Sequence, residues 1–144
     1  MKTVVRGILL PTAVAIVFEL AIFSLAAAPA LGQNARIQVI EVTAKKYEYS
    51  PAPIHVKSGT EIQLKITAAD HDHGFSIATA PDGADSNAPA GLVFTSAQEC
   101  WQLKKGETTT VEFLAQTPGT YSFKCCHTCG FGHRGMKGLL VVDP

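Results

Sequence analysis

From Arg36 onward, apolar and polar residues alternate in short runs bounded by turn-forming residues. Ile62, Leu64 and Ile66 alternate with Gln63, Lys65 and Thr67, which places the apolar side chains on one face of a strand. Ile54 and Val56 alternate with His55 and Lys57, and Ser58-Gly59 then turns the chain. Ile37 to Val42 is rich in β-branched residues, Tyr47-Glu48-Tyr49 runs into a turn at Ser50-Pro51, and Val111 and Phe113 flank Glu112. Thr117-Pro118-Gly119 turns into Tyr121-Ser122-Phe123-Lys124, and Leu139 to Val142 forms a last apolar run.

Between these runs the pattern breaks. Asp70 to Gly74 interrupts a strand before Phe75-Ser76-Ile77. Pro81 to Gly91 is polar and rich in Pro and Gly, which predicts a long surface loop, with a short strand at Leu92-Val93-Phe94. Ser96 to Gly106, holding Cys100 and Trp101, reads as irregular or as one helical turn. No segment after residue 32 has a helical period. About seven or eight short strands with turns between them predict an all-β Greek-key sandwich, in which loops gather at two ends. The loop at His73 and the loop after Lys124 can then meet at one end.

Residues 1–32 differ from the rest. Lys2 and Arg6 precede an apolar run from Gly7 to Ala28, and Ala30-Leu31-Gly32 offers small residues for cleavage before Gln33. This predicts a signal peptide at 1–32 and a single domain at 33–144. The competing expectation is an uncleaved single membrane anchor, since the run approaches the roughly 20 residues a spanning helix needs. Glu19 inside the run favours cleavage. Either way the domain is expected to be exported, periplasmic or secreted. The formal net charge is zero and no basic stripe is present, which excludes a nucleic-acid partner.

The candidate chemistry is concentrated in Cys125-Cys126-His127-Thr128-Cys129-Gly130-Phe131-Gly132-His133-Arg134-Gly135-Met136. Sulfur ligands mixed with imidazole suit copper or zinc, and a nearby Met favours copper. Four Cys in an exported chain would ordinarily suggest two disulfides, but only Cys100 lies outside this loop. Side chains of adjacent residues in extended backbone point to opposite faces, so Cys125 and Cys126 are not expected to face one metal together. A mixed outcome follows as a hypothesis: Cys125 and Cys129 hold metal while Cys126 bridges to Cys100. Two other readings stay open. One is a tetrahedral zinc site from Cys125, Cys126, Cys129 and His133, which leaves His73 and Met136 unused. The other is a Cys126-x-x-Cys129 redox dithiol, which lacks the expected βαβ context.

Cys125, Cys129, His133 and Met136 follow the pattern C-x3-C-x3-H-x2-M, and Asp70-His71-Asp72-His73-Gly74-Phe75 lies upstream. In these motifs, over about residues 36–144, the chain resembles the cupredoxins, specifically the dinuclear CuA copper domain of cytochrome oxidase subunit II and nitrous oxide reductase. The resemblance implies a cupredoxin fold and two copper ions bridged by the thiolates of Cys125 and Cys129; a single copper is the alternative. It implies one imidazole each from His73 and His133, with the Met136 thioether and the His127 backbone carbonyl as weak axial ligands. The implied activity is electron carriage rather than catalysis, with no small-molecule substrate and no open coordination position.

The implied partners are redox proteins such as a c-type cytochrome or a terminal oxidase, with a membrane involved only if the leader is retained. His127 stands where the oxidase family mostly carries Glu, and Cys126 is an added thiol. The aromatic segment that receives electrons in that family is reduced to Tyr47-Glu48-Tyr49, and no two-helix membrane hairpin reads from the residues. These departures favour a stand-alone carrier over an oxidase subunit, with a copper-binding carrier protein as a further alternative. His71 is expected to be a solvated loop residue, although it sits close enough in sequence to replace His73; His55 is expected to be exposed, and Trp101 to be core packing or a surface port for electrons.

Overall fold

The structure, a computed structural model, describes residues 37–144; the expected leader at 1–32 and its helix lie outside the described residues. Ten strands form among the described residues, in chain order: β1 (Ile37–Lys45), β2 (Glu48–Ser50), β3 (Ile54–Lys57), β4 (Thr60–Ala68), β5 (His73–Ile77), β6 (Leu92–Phe94), β7 (Trp101–Leu103), β8 (Thr108–Ala115), β9 (Gly119–Lys124) and β10 (Lys137–Asp143). They build two five-stranded sheets, ordered β2-β1-β4-β8-β6 and β3-β10-β9-β5-β7. β1 runs parallel to β4 and β10 parallel to β3, while the remaining pairs are antiparallel. The two-layer all-β sandwich expected from the alternation is therefore present.

The period of two decides what enters the space between the sheets. Ile62, Leu64, Ile66 and Ala68 of β4 are buried, as are Val111, Phe113 and Ala115 of β8. From the second sheet come Phe75 and Ile77, Tyr121 and Phe123, and Leu140 and Val142. Phe75 and Phe123 lie with ring centroids 5.4 Å apart, and Tyr49 meets both edge-on. Removing such side chains from water supplies about 1.5–3 kcal/mol each, the main term holding two sheets together.

The strand count exceeds the expected seven or eight because three-residue strands complete the sheet edges. β2 returns along β1 where a strand end in a turn was expected. β7 replaces the irregular stretch or helical turn expected between Ser96 and Gly106, pairing Trp101 with Phe75 and Leu103 with His73. Trp101 is buried against Phe75 and Phe94, so it packs the core and offers no surface port for electrons. The loop from Pro81 to Gly91 contains no strand, as its composition predicts.

Candidate metal centre

Strand register carries the candidate ligands to one end of the second sheet. In β5, His73, Phe75 and Ile77 share the inward face, so the core-facing row ends in an imidazole with no solvent exposure. In β9 the same row runs Tyr121, Phe123 and then Cys125, just past the strand end, and Cys125 is buried. β9 pairs with both β5 and β10. The Cys125 N–H donates to the Met136 carbonyl at 2.9 Å, which sets Met136, fully buried, beside Cys125 across the strand pair.

Cys126, one residue on, faces away from this row and is disulfide-bonded to Cys100. The alternation argument for that bridge therefore holds. It also removes the four-ligand zinc reading and the Cys126–Cys129 dithiol reading, since both need Cys126 free.

Cys125 and Cys129 are free, buried thiols with their sulfurs 3.5 Å apart. Ligand atoms of Cys125, Cys129 and His133 all lie within 4.8 Å of one another, and so do those of His71, His73 and Cys129. The two groups share Cys129. The Cys125 thiol donates to the His127 carbonyl at 3.1 Å, so that oxygen, rather than the His127 ring, faces the sulfur. The loop closes through a 3-10 turn at His133–Gly135, in which the Met136 N–H donates to the His133 carbonyl.

His71, His73 and His133 each keep a buried Nδ1 with no hydrogen-bond partner. For His73 the reason is Asp70, whose Oδ1 accepts from Nε2 at 2.7 Å and leaves the Nδ1 lone pair free. A carboxylate behind an imidazole in this way fixes the tautomer and raises ligand basicity. Asp70 also accepts the Lys46 and His71 backbone N–H groups. Burial pulls its carboxyl upward, but the hydrogen bonds from His73, Lys46 and His71 outweigh that and hold it well below the usual carboxylate range. Burial, then the hydrogen bond and charge of Cys125, push the Cys129 thiol up to about 11. A metal taking Cys129 as thiolate must therefore displace a proton.

Two free thiols, orphaned imidazole nitrogens and a buried thioether fit a soft metal, and copper better than zinc.

His71 corrects one expectation. It is half-buried rather than solvated, with Nε2 2.8 Å from the Cys129 carbonyl and its ring 4.2 Å from that of His73. The carbonyl contact, then Asp70, raises its pKa above the ordinary imidazole value. His55 is exposed near Asp143, away from the centre.

In sequence, Asp70 and Gly74 stand only as members of the upstream motif and Tyr47 and Tyr49 only as a reduced aromatic segment; their contacts with the ligand loop are not read there. Asp70 carries a signal in its i, i+3 spacing to His73. A Cβ on Gly74 would lie 2.7 Å from the Cys126 sulfur and 2.8 Å from the His127 nitrogen, so only glycine lets the ligand loop rest on β5. The Tyr47 ring occupies the space a Cβ would need at Gly132, and its hydroxyl lies against Gly130, whose φ is +123°. The buried Tyr49 hydroxyl donates to the Gly74 carbonyl, and burial followed by the Cys125 sulfur pushes its pKa far up, so it stays a neutral donor. None of these three contacts has a signature in sequence spacing.

A two-sheet sandwich with a thiol, imidazole and thioether cluster at one end defines a metal-centre β protein of the cupredoxin class. The family model described as a cupredoxin-like domain matches residues 13–142, and the chain belongs to that family. It is 34% identical over 103 residues to cytochrome c oxidase subunit 2 of Thermus thermophilus, covering 72% of this chain and 64% of that protein. A second subunit 2 from a named strain of the same species matches at the same identity but is covered over 51%, so the chain spans between about half and two thirds of these relatives. Among solved structures, the periplasmic domain of oxidase subunit II from Bradyrhizobium japonicum superposes with a TM-score of 0.56 at 17% identity, covering 73% of this chain and 83% of that one. Auracyanin A, a blue copper protein of Chloroflexus aurantiacus, gives 0.53 at 16% identity, covering 75% and 100%. These two support the fold alone.

Proposed function

We propose that the chain is an exported copper protein that carries single electrons between redox partners through a dinuclear CuA-like centre. Cys125, Cys129, His73 and His133 would hold the copper, with the Met136 thioether and the His127 carbonyl as weaker donors. The observation that carries this reading is the sulfur pair 3.5 Å apart, with His133 grouped with both sulfurs and His73 with Cys129, each keeping a buried Nδ1 without a partner, as the neighbouring His71 also does. Copper bound there supplies a one-electron couple. The chain contributes the restraint: Asp70 orients His73, the Cys100–Cys126 bridge and Gly74 hold the loop against β5, and burial excludes water. Residues 1–32 act as the signal peptide and 33–144 as the working domain, which is not itself an enzyme.

Similarity to oxidase subunit 2 supports a second reading, membership of a terminal oxidase with the leader kept as an anchor. Finding the mature N-terminus at Gln33 in a soluble fraction would count against it. The carrier reading is tested by coulometric titration of the copper-loaded protein while thiolate-to-copper absorption is followed. Reversible uptake of one electron per chain is expected. Copper held only as Cu(I), with no stable oxidised form, would overturn the reading in favour of a copper-binding carrier.

A further inference from the structure

On the face formed by the end of β9, the start of β10 and the 3-10 turn, the exposed charges are all cationic, with Asp70 on the other side of the loop at His71 and His73. Lys124 and Lys137 are directly opposed across β9 and β10, and both are exposed. Directly opposed residues put their side chains on the same face, where two like charges cost stability. Arg134 is also exposed, and it lines one shallow recess together with Lys124, Cys125, Cys126 and His133. Among the described residues every ion pair involves other groups, so these three cations have no carboxylate partner. In sequence each adjoins a candidate ligand: Lys124 precedes Cys125, Arg134 follows His133 and Lys137 follows Met136. The chain as a whole has zero formal charge, so this is local asymmetry rather than general basicity. Phe131, fully exposed, lines an adjoining recess with His133 and Arg134.

We infer that this face docks a redox protein whose own docking surface presents carboxylates. The inference deepens the carrier reading by giving the partner's chemistry. An opposed lysine pair without a counter-charge weakens the isolated fold and becomes favourable once acidic groups approach. Complementary charge steers encounter and fixes orientation more than it adds affinity. Here it would bring a partner's cofactor over the end of the sandwich where His133 is only half-buried. Phe131 supplies the apolar contact that such a charged rim surrounds.

The test uses the copper-loaded protein and two probes: a c-type cytochrome with carboxylates ringing its haem edge, and one ringed by lysines. Binding is measured calorimetrically at low ionic strength and at about 0.5 M salt, where screening is nearly complete. The acidic cytochrome is expected to bind, with Kd weakened at least about tenfold by salt or by the triple variant Lys124→Glu/Arg134→Glu/Lys137→Glu. The milder Lys124→Gln/Lys137→Gln pair should weaken binding while raising Tm, a combination that a purely structural role for these lysines would not give. Equal binding by wild type and variants, or tighter binding of the lysine-ringed cytochrome, would overturn the inference. So would saturable binding of inorganic phosphate by the same residues without binding of the acidic cytochrome. Binding as described without electron exchange would refute the carrier reading alone. Electron exchange unaffected by charge reversal would refute the docking surface alone.

Discussion

Replacing Gly74 by Ala tests whether the ligand loop is held by close contact with β5. The added Cβ would lie 2.7 Å from the Cys126 sulfur, 2.8 Å from the His127 backbone nitrogen and 3.0 Å from the His127 Cβ. Neither of the two nearest atoms can swing aside, because one is in a disulfide and the other is main chain. Reaching ordinary contact at about 3.5 Å requires strand and loop to part by about 0.7 Å. Overpacking of this kind costs about 1–3 kcal/mol, offset by about 0.4–1 kcal/mol because Ala restricts the unfolded chain. Gly135→Ala is the control, since a Cβ there meets nothing within 4 Å. It receives the entropic gain without the clash, so the difference between the two variants isolates the contact. At about 4–8 °C per kcal/mol for a domain of this size, Gly74→Ala should melt about 5–20 °C below Gly135→Ala by circular dichroism. Its thiolate-to-copper absorption should also shift, because the Gly74 N–H donates to the Cys125 sulfur at 3.4 Å and moves with the strand. Melting curves that coincide within about 2 °C, with the same spectrum, would refute the reasoning.

The remaining expectations concern ligands, staple and pH. Cys129→Ser should abolish strong thiolate-to-copper colour, whereas Met136→Leu should keep the colour and mainly retune the reduction potential, because an axial bond is weak; full colour in Cys129→Ser would refute the ligand assignment. Cys100→Ser/Cys126→Ser opens a link between residues 26 apart, for which loop entropy gives a loss of about 3.5 kcal/mol in denaturant titration. Non-reducing peptide mapping should recover Cys100 joined to Cys126, and a free Cys126 thiol would remove that staple. The Asp70 carboxyl is held below its unfolded value, so it stabilises the metal-free fold above about pH 4 and that contribution is lost as pH falls toward the folded value. Asp70→Asn should flatten the acid limb of a stability–pH profile, and an unchanged limb would show that the carboxylate contributes nothing.

The core was legible because one alternation rule governs it. Ile62, Leu64 and Ile66 could be assigned inward from spacing alone, and the same rule set Cys125 and Cys126 on opposite faces. β7 was not legible: Trp101-Gln102-Leu103 is too short to show a period, and it is ordered by pairing with β5 and by the neighbouring disulfide. His71 was misread as solvated because its environment comes from Cys129, distant in sequence. The seats of Tyr47 over Gly130 and Gly132 and of Tyr49 under Gly74 likewise depend on strands meeting in space. The candidate ligands of the loop could be picked out because their spacing is local, whereas the supports come from the turn between β1 and β2, from β2 and from the loop before β5.

The claim on which the rest depends is that Cys125 and Cys129 bridge a pair of copper ions. Electron paramagnetic resonance of the oxidised protein, taken with its copper-to-protein ratio, tests this most directly. A pair of copper ions per chain is expected, with hyperfine splitting from two equivalent nuclei sharing one unpaired electron. One copper per chain with splitting from a single nucleus would contradict it.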